Sequence, residues 1–492
     1  MYLGIDLGTS GVKAVVIDAS GTLVASADAS IEVCNPQPLW SEQNPDDWWI
    51  ATVKAVRGIH EQLGERTKDI RALALAGQMH GATFLDKEDK VLRPCILWND
   101  GRSTDQCAQL EAKLPDFQER SGNLAMAGFT APKVMWVAEH EPDIFAKTSK
   151  VLLPKDYLCL LLTSEYCSDM SDAAGTLWLN PETRDWDDQL LAASGLNRSY
   201  MPRLLEGIET AGNLTESAAI ALGLPQIPVS IGGGDNACGA IGVGVTEPGQ
   251  AFLSLGTSGV LFVVSDGHRA SPKNTVHAFC HCLPQRWHQM TVSLSAANSL
   301  SWFADMASKS VSDLLLEIDS LNSLETSVIF LPYLSGERTP HNDPKATGMF
   351  FGLKNSTSRA EMTLAILEGV AFSFADGYRA LQEAQSPIDD MTLIGGGARS
   401  AKWRQIIADV LQSKITFRHG GEVGPGLGAA RLAYLSEFQA LEPAEFNRKV
   451  AEICPKPEVV EVHLPDSNIA QYYQQKLERY RALYLQTRLL NS

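Results

Sequence analysis

Two carboxylates stand where chemistry can be done with them. Asp6 follows the apolar run 2–5, and Asp235 follows Gly232-Gly233-Gly234 after the apolar run 229–231. Each is placed at the carboxyl end of an expected strand, the edge on which open α/β sheets hold ligands. Asp6 opens directly onto Leu7-Gly8-Thr9-Ser10-Gly11-Val12, a Gly-containing turn whose successive N–H groups, with the Thr9 and Ser10 hydroxyls, make a concave anion site suited to a polyphosphate. A carboxylate beside such a turn suits a Mg2+ that bridges phosphate oxygens, and the plainer alternative is an Asp that hydrogen-bonds its own turn. Asp235 can accept a proton from a substrate hydroxyl, cap a helix over 236–245, or do both. Asn236 beside it offers an amide to a substrate hydroxyl.

Other segments carry weaker signals. Met79 and His80 lie between Gly77 and Gly81 after the apolar run 70–76, and Trp98-Asn99-Asp100-Gly101-Arg102 gathers an aromatic ring, an amide, a carboxylate and a guanidinium. That pentapeptide fits polyol binding, through Trp98 and Asp100, and fits a salt-bridged turn equally well. Gly395-Gly396-Gly397, followed by Ala398, holds no acid or nucleophile and reads as a backbone surface for a flat group, or as a tight turn. His277, Cys280, His281 and Cys282 resemble a metal set, but on a strand the two His would face away from the two Cys, so no shared ion is expected. No Gly-x-x-x-x-Gly-Lys-Ser/Thr loop is present, so phosphoryl transfer would need another architecture.

The elements that must position these groups are duplicated. Leu-Gly-Thr-Ser-Gly-Val returns at 255–260, offset by about 248 residues, with apolar strand patterns on either side of each copy. Ser254 stands where the first copy has Asp6, so only one half carries the charge. Two such turns facing each other form a clamp. Ile-Gly-Gly-Gly also occurs twice, at 231–234 and 394–397, and between turn and run the first half has about 85 residues more than the second. This excess, within 98–203, reads as a substrate module whose Trp98, Trp136, Trp178 and Trp186 suit a lid or a sugar face. Asn44 and Pro45 predict the start of a helix running to Leu63, and Thr246-Glu247-Pro248-Gly249-Gln250 predicts the boundary between domains 1–244 and 245–492. Tyr473, Leu477, Tyr480 and Tyr484 at helical spacing predict a helix packed on its own domain.

A net charge of −17 argues against nucleic acid or an anionic membrane as partner, and 45% apolar with 20% charged residues are globular values. Disorder is expected only at the last residues. Nine cysteines without a repeating spacing read as reduced thiols, and the start Met1-Tyr2-Leu3-Gly4-Ile5-Asp6 lacks a signal sequence, so a cytoplasmic enzyme is expected. A homodimer is compatible with the sequence and not specified by it.

The two Gly-Thr-Ser turns and Gly395-Gly396-Gly397-Ala398 resemble the phosphate and adenosine motifs of the actin, sugar kinase and chaperone superfamily. More closely, Gly128-Phe129-Thr130-Ala131-Pro132-Lys133-Val134-Met135-Trp136, and Gly348-Met349-Phe350-Phe351-Gly352-Leu353 with Ala365-Ile366-Leu367-Glu368, resemble the signatures of the FGGY carbohydrate kinases. Gln78-Met79-His80-Gly81, Leu153-Pro154-Lys155-Asp156-Tyr157, Ser171-Asp172-Ala173-Ala174-Gly175-Thr176 and Ser335-Gly336-Glu337-Arg338-Thr339-Pro340-His341 are similar to the bacterial xylulokinase branch. The resemblance implies an α/β protein of two duplicated ribonuclease H-like domains with the active site in the cleft between them. It further implies phosphorylation of D-xylulose by ATP with Mg2+, with Asp235 as general base and Asp6 serving the metal. Met79, His80, Asp235 and Asn236 would line the sugar, Gly256 and Thr257 meet the phosphates, and Gly396, Gly397 and Ala398 meet the adenosine. Sister kinases for ribulose, gluconate or glycerol, and a chaperone or filament ATPase, are the alternatives.

Overall fold

The computed structural model describes residues 1–321, 323, 325–419 and 424–490; residues 491–492, where disorder is expected, lie outside them. The first half is built on β1 (Tyr2–Leu7), β2 (Gly11–Ile17), β3 (Leu23–Ser30), β4 (Ala72–Gly77), β5 (Thr210–Asn213) and β6 (Pro228–Gly234). They form one sheet in the order β5-β6-β4-β1-β2-β3, antiparallel through β1, β2 and β3 and parallel through β1, β4 and β6. The second half uses β7 (Gln250–Leu255), β8 (Gly259–Ser265), β9 (His277–Cys280), β10 (Trp287–Ser293), β11 (Asp390–Ile394), β12 (Ile415–Arg418) and β13 (Val459–His463). Their order is β9-β10-β8-β7-β11-β12-β13. In each sheet the strand before the Gly-Thr-Ser turn has its hairpin partner on one side and a parallel strand on the other, so the duplicated sequence is a duplicated topology.

Six helices matter for the site: α1 (Pro45–Leu63), α2 (Thr130–His140), α3 (Asp235–Gly242), α4 (Ala297–Met306), α5 (Gly424–Leu435) and α6 (Ala470–Thr487). Asn44 caps α1 by accepting the Asp46 N–H, with Pro45 in the first turn, as the sequence predicts. Along β4 the side chains alternate. Leu73 and Leu75 enter the core of the first half, while Ala72, Ala74 and Ala76 join Ala429, Ala430 and Leu432 of α5 in a core made by both halves. Small residues let the halves approach closely here, because a Cβ on Gly428 would lie 1.8 Å from the Cys238 carbonyl oxygen. Tyr473, Tyr480 and Tyr484 of α6 are buried in the second-half core, as expected. Among the described residues no helix is long and apolar enough to cross a membrane.

The extra residues of the first half are not a free lid. They form short helices and two-stranded pieces that seal the second sheet at β9 and its neighbour. Asn123 Nδ2 donates to the Ala278 carbonyl at 3.0 Å, Trp287 Nε1 to that of Pro181 at 2.6 Å and Arg184 Nη1 to that of Arg286 at 3.0 Å. Trp136, Trp178 and Trp186 are buried in this shared core, and Trp178 and Trp186 also donate their indole N–H groups to Ser194 and to the Pro202 carbonyl. Of the four tryptophans expected to suit a lid or a sugar face, three instead pack the module, because large rings are what such short elements need to exclude water.

Candidate active site between the halves

A cavity of about 220 Å3 opens between the two sheets. Met79, His80, Trp98, Asp235 and Asn236 of the sequence reading all line it, beside Met126, Gly128 and Phe129. Ser258, Val260, Met290, Val292 and Arg338 close it from the second half.

Asp235 begins α3, and its Oδ1 accepts the Asn236 N–H at 2.7 Å and the Asn236 side-chain amide at 2.9 Å. The N-cap is Gly234, so Asp235 does not cap the helix as the sequence allowed. Its carboxylate stays with the cavity. Burial pushes its pKa up to about 6, against the two bonds from Asn236. Asp6 is pushed up to about 7, first by burial and then by the charge of Asp235, which brings the two acids into one electrostatic site. Asp6 Oδ1 is buried and has no hydrogen-bond partner, so the alternative of an Asp bonded to its own turn does not hold for that oxygen. An orphaned, water-starved carboxylate oxygen fits a cation ligand.

His80 has a left-handed backbone, with φ of +70°, held because two donors from α2 converge on its carbonyl: Thr130 Oγ1 at 3.1 Å and Lys133 Nζ at 2.9 Å. Lys133 Nζ also donates to the Gly128 carbonyl at 2.8 Å, tying together two segments of the cavity wall. The His80 Nδ1 atom lies 2.7 Å from the Gly175 carbonyl, which can only accept, so Nδ1 carries the proton. Burial lowers the His80 pKa to about 3 and keeps the ring neutral, which leaves Nε2 as an acceptor.

The first phosphate-type turn is wired into this wall. Trp98 Nε1 donates to Thr9 Oγ1 at 2.9 Å, Thr9 Oγ1 donates to Gln78 Oε1 at 3.1 Å, and Gln43 Nε2 donates to the Thr9 carbonyl at 2.6 Å. The Thr9 hydroxyl therefore positions Trp98 and Gln78 rather than standing free for a phosphate, while Ser10 is exposed. In the second turn the carbonyls of Gly256 and Thr257 accept N–H groups of Ala297 and Ala296 at the start of α4, at 2.8 and 3.0 Å. Across planar trans peptides this aims the Thr257 and Ser258 N–H groups the opposite way, outward.

Two further expectations are revised. Asp100 is buried away from the cavity, with its oxygens taken by the Ser41 N–H and by Arg102, whose guanidinium also pairs with Glu42 and stacks on Trp40. The salt-bridged turn is the reading that holds, and Trp98 alone faces the cavity. Ala398 is fully buried, its N–H bonded to the Gly395 carbonyl and its own carbonyl bonded by Arg404, so no atom of it is left for an adenosine. Gly396 is the open surface there: a Cβ built on it meets nothing within 4 Å. Gly397 packs on Leu255. His277, Cys280, His281 and Cys282 are buried, and among the described residues no three His, Cys, Asp or Glu side chains are grouped to hold a metal ion.

Lys133 and Arg338 appear in the sequence only as members of longer motifs. Lys133 is fully buried and Arg338 half-buried, and among the described residues neither has a carboxylate ion-pair partner, a signal that no spacing reveals.

The family model for the N-terminal domain of the FGGY family of carbohydrate kinases matches residues 1–242, and that for the C-terminal domain matches 251–437. The xylulose kinase of Escherichia coli (strain K12) is 49% identical over 487 residues, covering 99% of both chains, and that of Klebsiella pneumoniae is 46% identical over 495 residues, covering 100% of both. The crystal structure of a xyloylose kinase from Brucella ovis superposes with a TM-score of 0.94 at 46% identity, covering 99% of both chains. A chaperone or filament ATPase is thereby set aside, and the chain belongs to the FGGY family of carbohydrate kinases.

Proposed function

We propose that this ATP-using carbohydrate kinase transfers the terminal phosphoryl group of ATP to the end hydroxyl of D-xylulose, giving D-xylulose 5-phosphate. The observation that carries the reading is Asp235: a half-buried carboxylate on the wall of a small, largely apolar cavity, held by Asn236 and close enough to Asp6 for its charge to raise the pKa of that acid. The names of the full-length relatives support the choice of sugar.

Phosphoryl transfer passes through a loose transition state, so the enzyme needs placement and charge neutralisation more than a strong base. Asp235, ionised above about pH 6, takes the proton of the attacking hydroxyl. Met79, neutral His80 and Asn236 fix the sugar, with His80 Nε2 accepting from a hydroxyl. The outward N–H groups of the second turn and of Ser10 receive phosphates, and the adenosine lies over Gly396 and Gly397. Asp6, with its orphaned oxygen, would hold Mg2+, which neutralises phosphate charge when bound. One carboxylate is enough for an ion whose other ligands are phosphate oxygens and water. Sugar binding is expected to draw the halves together and exclude water that would otherwise compete for the phosphoryl group. All nine cysteines are free, in keeping with the proposed cytoplasmic setting.

A coupled assay of ADP release over D-xylulose, D-ribulose, D-gluconate and glycerol tests this. D-Xylulose is expected to give the highest kcat/KM, by about tenfold or more. A higher value for any of the other three would overturn the assignment.

A further inference from the structure

Arg338 reaches the cavity from the second half, and its backbone is fixed on all sides. Glu337 Oε1 accepts the N–H groups of Leu294 and Arg338 at 3.0 and 2.7 Å, and Glu337 Oε2 accepts from Ser373 at 3.2 Å. The Asn342 N–H donates to the Arg338 carbonyl at 2.5 Å, and Thr339 Oγ1 donates to the Thr275 carbonyl at 3.1 Å. The neighbouring carboxyl is thus engaged elsewhere. No group among the described residues accepts a hydrogen bond from the Arg338 guanidinium or forms an ion pair with it; it faces the cavity, with Nη2 next to Gly128. A rigidly mounted, donor-only group beside a cavity is a site for an acceptor-only atom of the ligand.

Its place along the cavity follows from the wall it touches. Arg338 Nη2 lies beside Gly128, whose carbonyl shares the Lys133 amine with the His80 carbonyl. It therefore stands at the His80 end, and in keeping with this its charge bears on His80 and not on Asp235 or Asp6.

We infer that Arg338 reads the carbonyl oxygen of an open-chain ketose, at the end of the sugar opposite the hydroxyl that is phosphorylated. This rests on the ketose reading above and sharpens it. A ketone oxygen only accepts, which matches a guanidinium. The hydroxyl that replaces it in a polyol must also place a proton, but the acceptor at this end of the cavity, His80 Nε2, already accepts from another hydroxyl of the sugar, and the wall beside Arg338 otherwise offers Phe129, Met290 and Val292. Arg338 is then the specificity residue that separates ketose from alditol.

The test compares wild type with Arg338→Met and Arg338→Lys. It reads the KM for D-xylulose, the inhibition constants of xylitol and D-xylonate as competitors, and the KM for ATP. Loss of a hydrogen bond to a charged group predicts that Arg338→Met weakens D-xylulose about 30-fold while xylitol and ATP stay within about threefold, and that Lys recovers part of the loss. Parallel losses of xylulose and xylitol would overturn the inference, and so would no loss of either. Wild-type enzyme binding D-xylonate more tightly than D-xylulose would also overturn it, since the cation would then be reading a carboxylate. If the Met variant does not fold, Arg338→Gln carries the same comparison. Wild type inactive on D-xylulose defeats the proposed substrate itself, a failure visible before any variant is made.

Discussion

Asp235 owes its lifted pKa to burial, and the sign of the resulting pH dependence is fixed by its task. Proton acceptance needs the carboxylate, so kcat/KM for the sugar in free enzyme is expected to fall about tenfold per pH unit below about 6 and to level off above about 7. A profile flat between pH 5 and 7 would contradict the assignment. Asp235→Asn keeps the shape and removes the base; turnover is expected to drop about 10²–10⁴-fold, with the KM for ATP within about threefold. Equal damage to ATP affinity would mean that Asp235 serves the nucleotide instead. At this scale the sequence was most legible where glycines frame a charge, as at Asp6 and Asp235, because a polar residue at a Gly-rich strand end has few structural reasons to be there. It was least legible at Asp100, Ala398 and Arg338. Asp100 faces away because of a partner far along the chain, Ser41; Ala398 because its turn folds back on Gly395 and Arg404 covers its carbonyl; and the place of Arg338 depends on a cavity that both halves must build.

Helix α2 shows what an element contributes that single residues do not. Thr130 and Lys133, one turn apart, both reach the His80 carbonyl, and Lys133 also holds the Gly128 carbonyl. Two loops that share no secondary structure are thereby set at a fixed separation across the sugar cavity. Burial lowers the Lys133 pKa to about 7. Either protonation state donates to carbonyls, so its task is positional rather than catalytic. Lys133→Met removes both bonds and is expected to raise the KM for the sugar about tenfold with a smaller change in kcat and in the KM for ATP. Steady-state kinetics with each substrate varied in turn decides it, and a loss confined to kcat would contradict the positional role. The duplicated hairpins were legible because strand alternation and a repeated hexapeptide are local signals. The role of the extra module was not: Trp178 and Trp186 look the same in sequence whether they pack a core or cover a ligand, and only the polar partners of their indoles separate the two.

At the scale of the molecule, the duplication predicts two domains, and the cores tie the two halves together. Phe129, Trp178 and Trp186 of the first half share a core with Phe252, Phe262 and Phe279 of the second, and Ala74 and Ile241 share another with Ala429 and Leu432. Severing the halves would bare both apolar faces and leave buried polar groups such as Asn123, which bonds Ala278, without partners. Neither half is therefore expected to hold its structure once the other is lost, and the intact chain is expected to unfold by heat in one calorimetric transition, with a van't Hoff enthalpy close to the calorimetric one. Two resolved peaks would show that each lobe is stable alone and that the shared cores are only contacts. Gly428→Ala sharpens the test, because its Cβ cannot fit beside the Cys238 carbonyl without moving α5 from α3. Overpacking of this kind costs about 1–3 kcal/mol. If the halves are one cooperative unit, that cost lowers the single peak as a whole; if they are not, it splits the second-half transition away from the first.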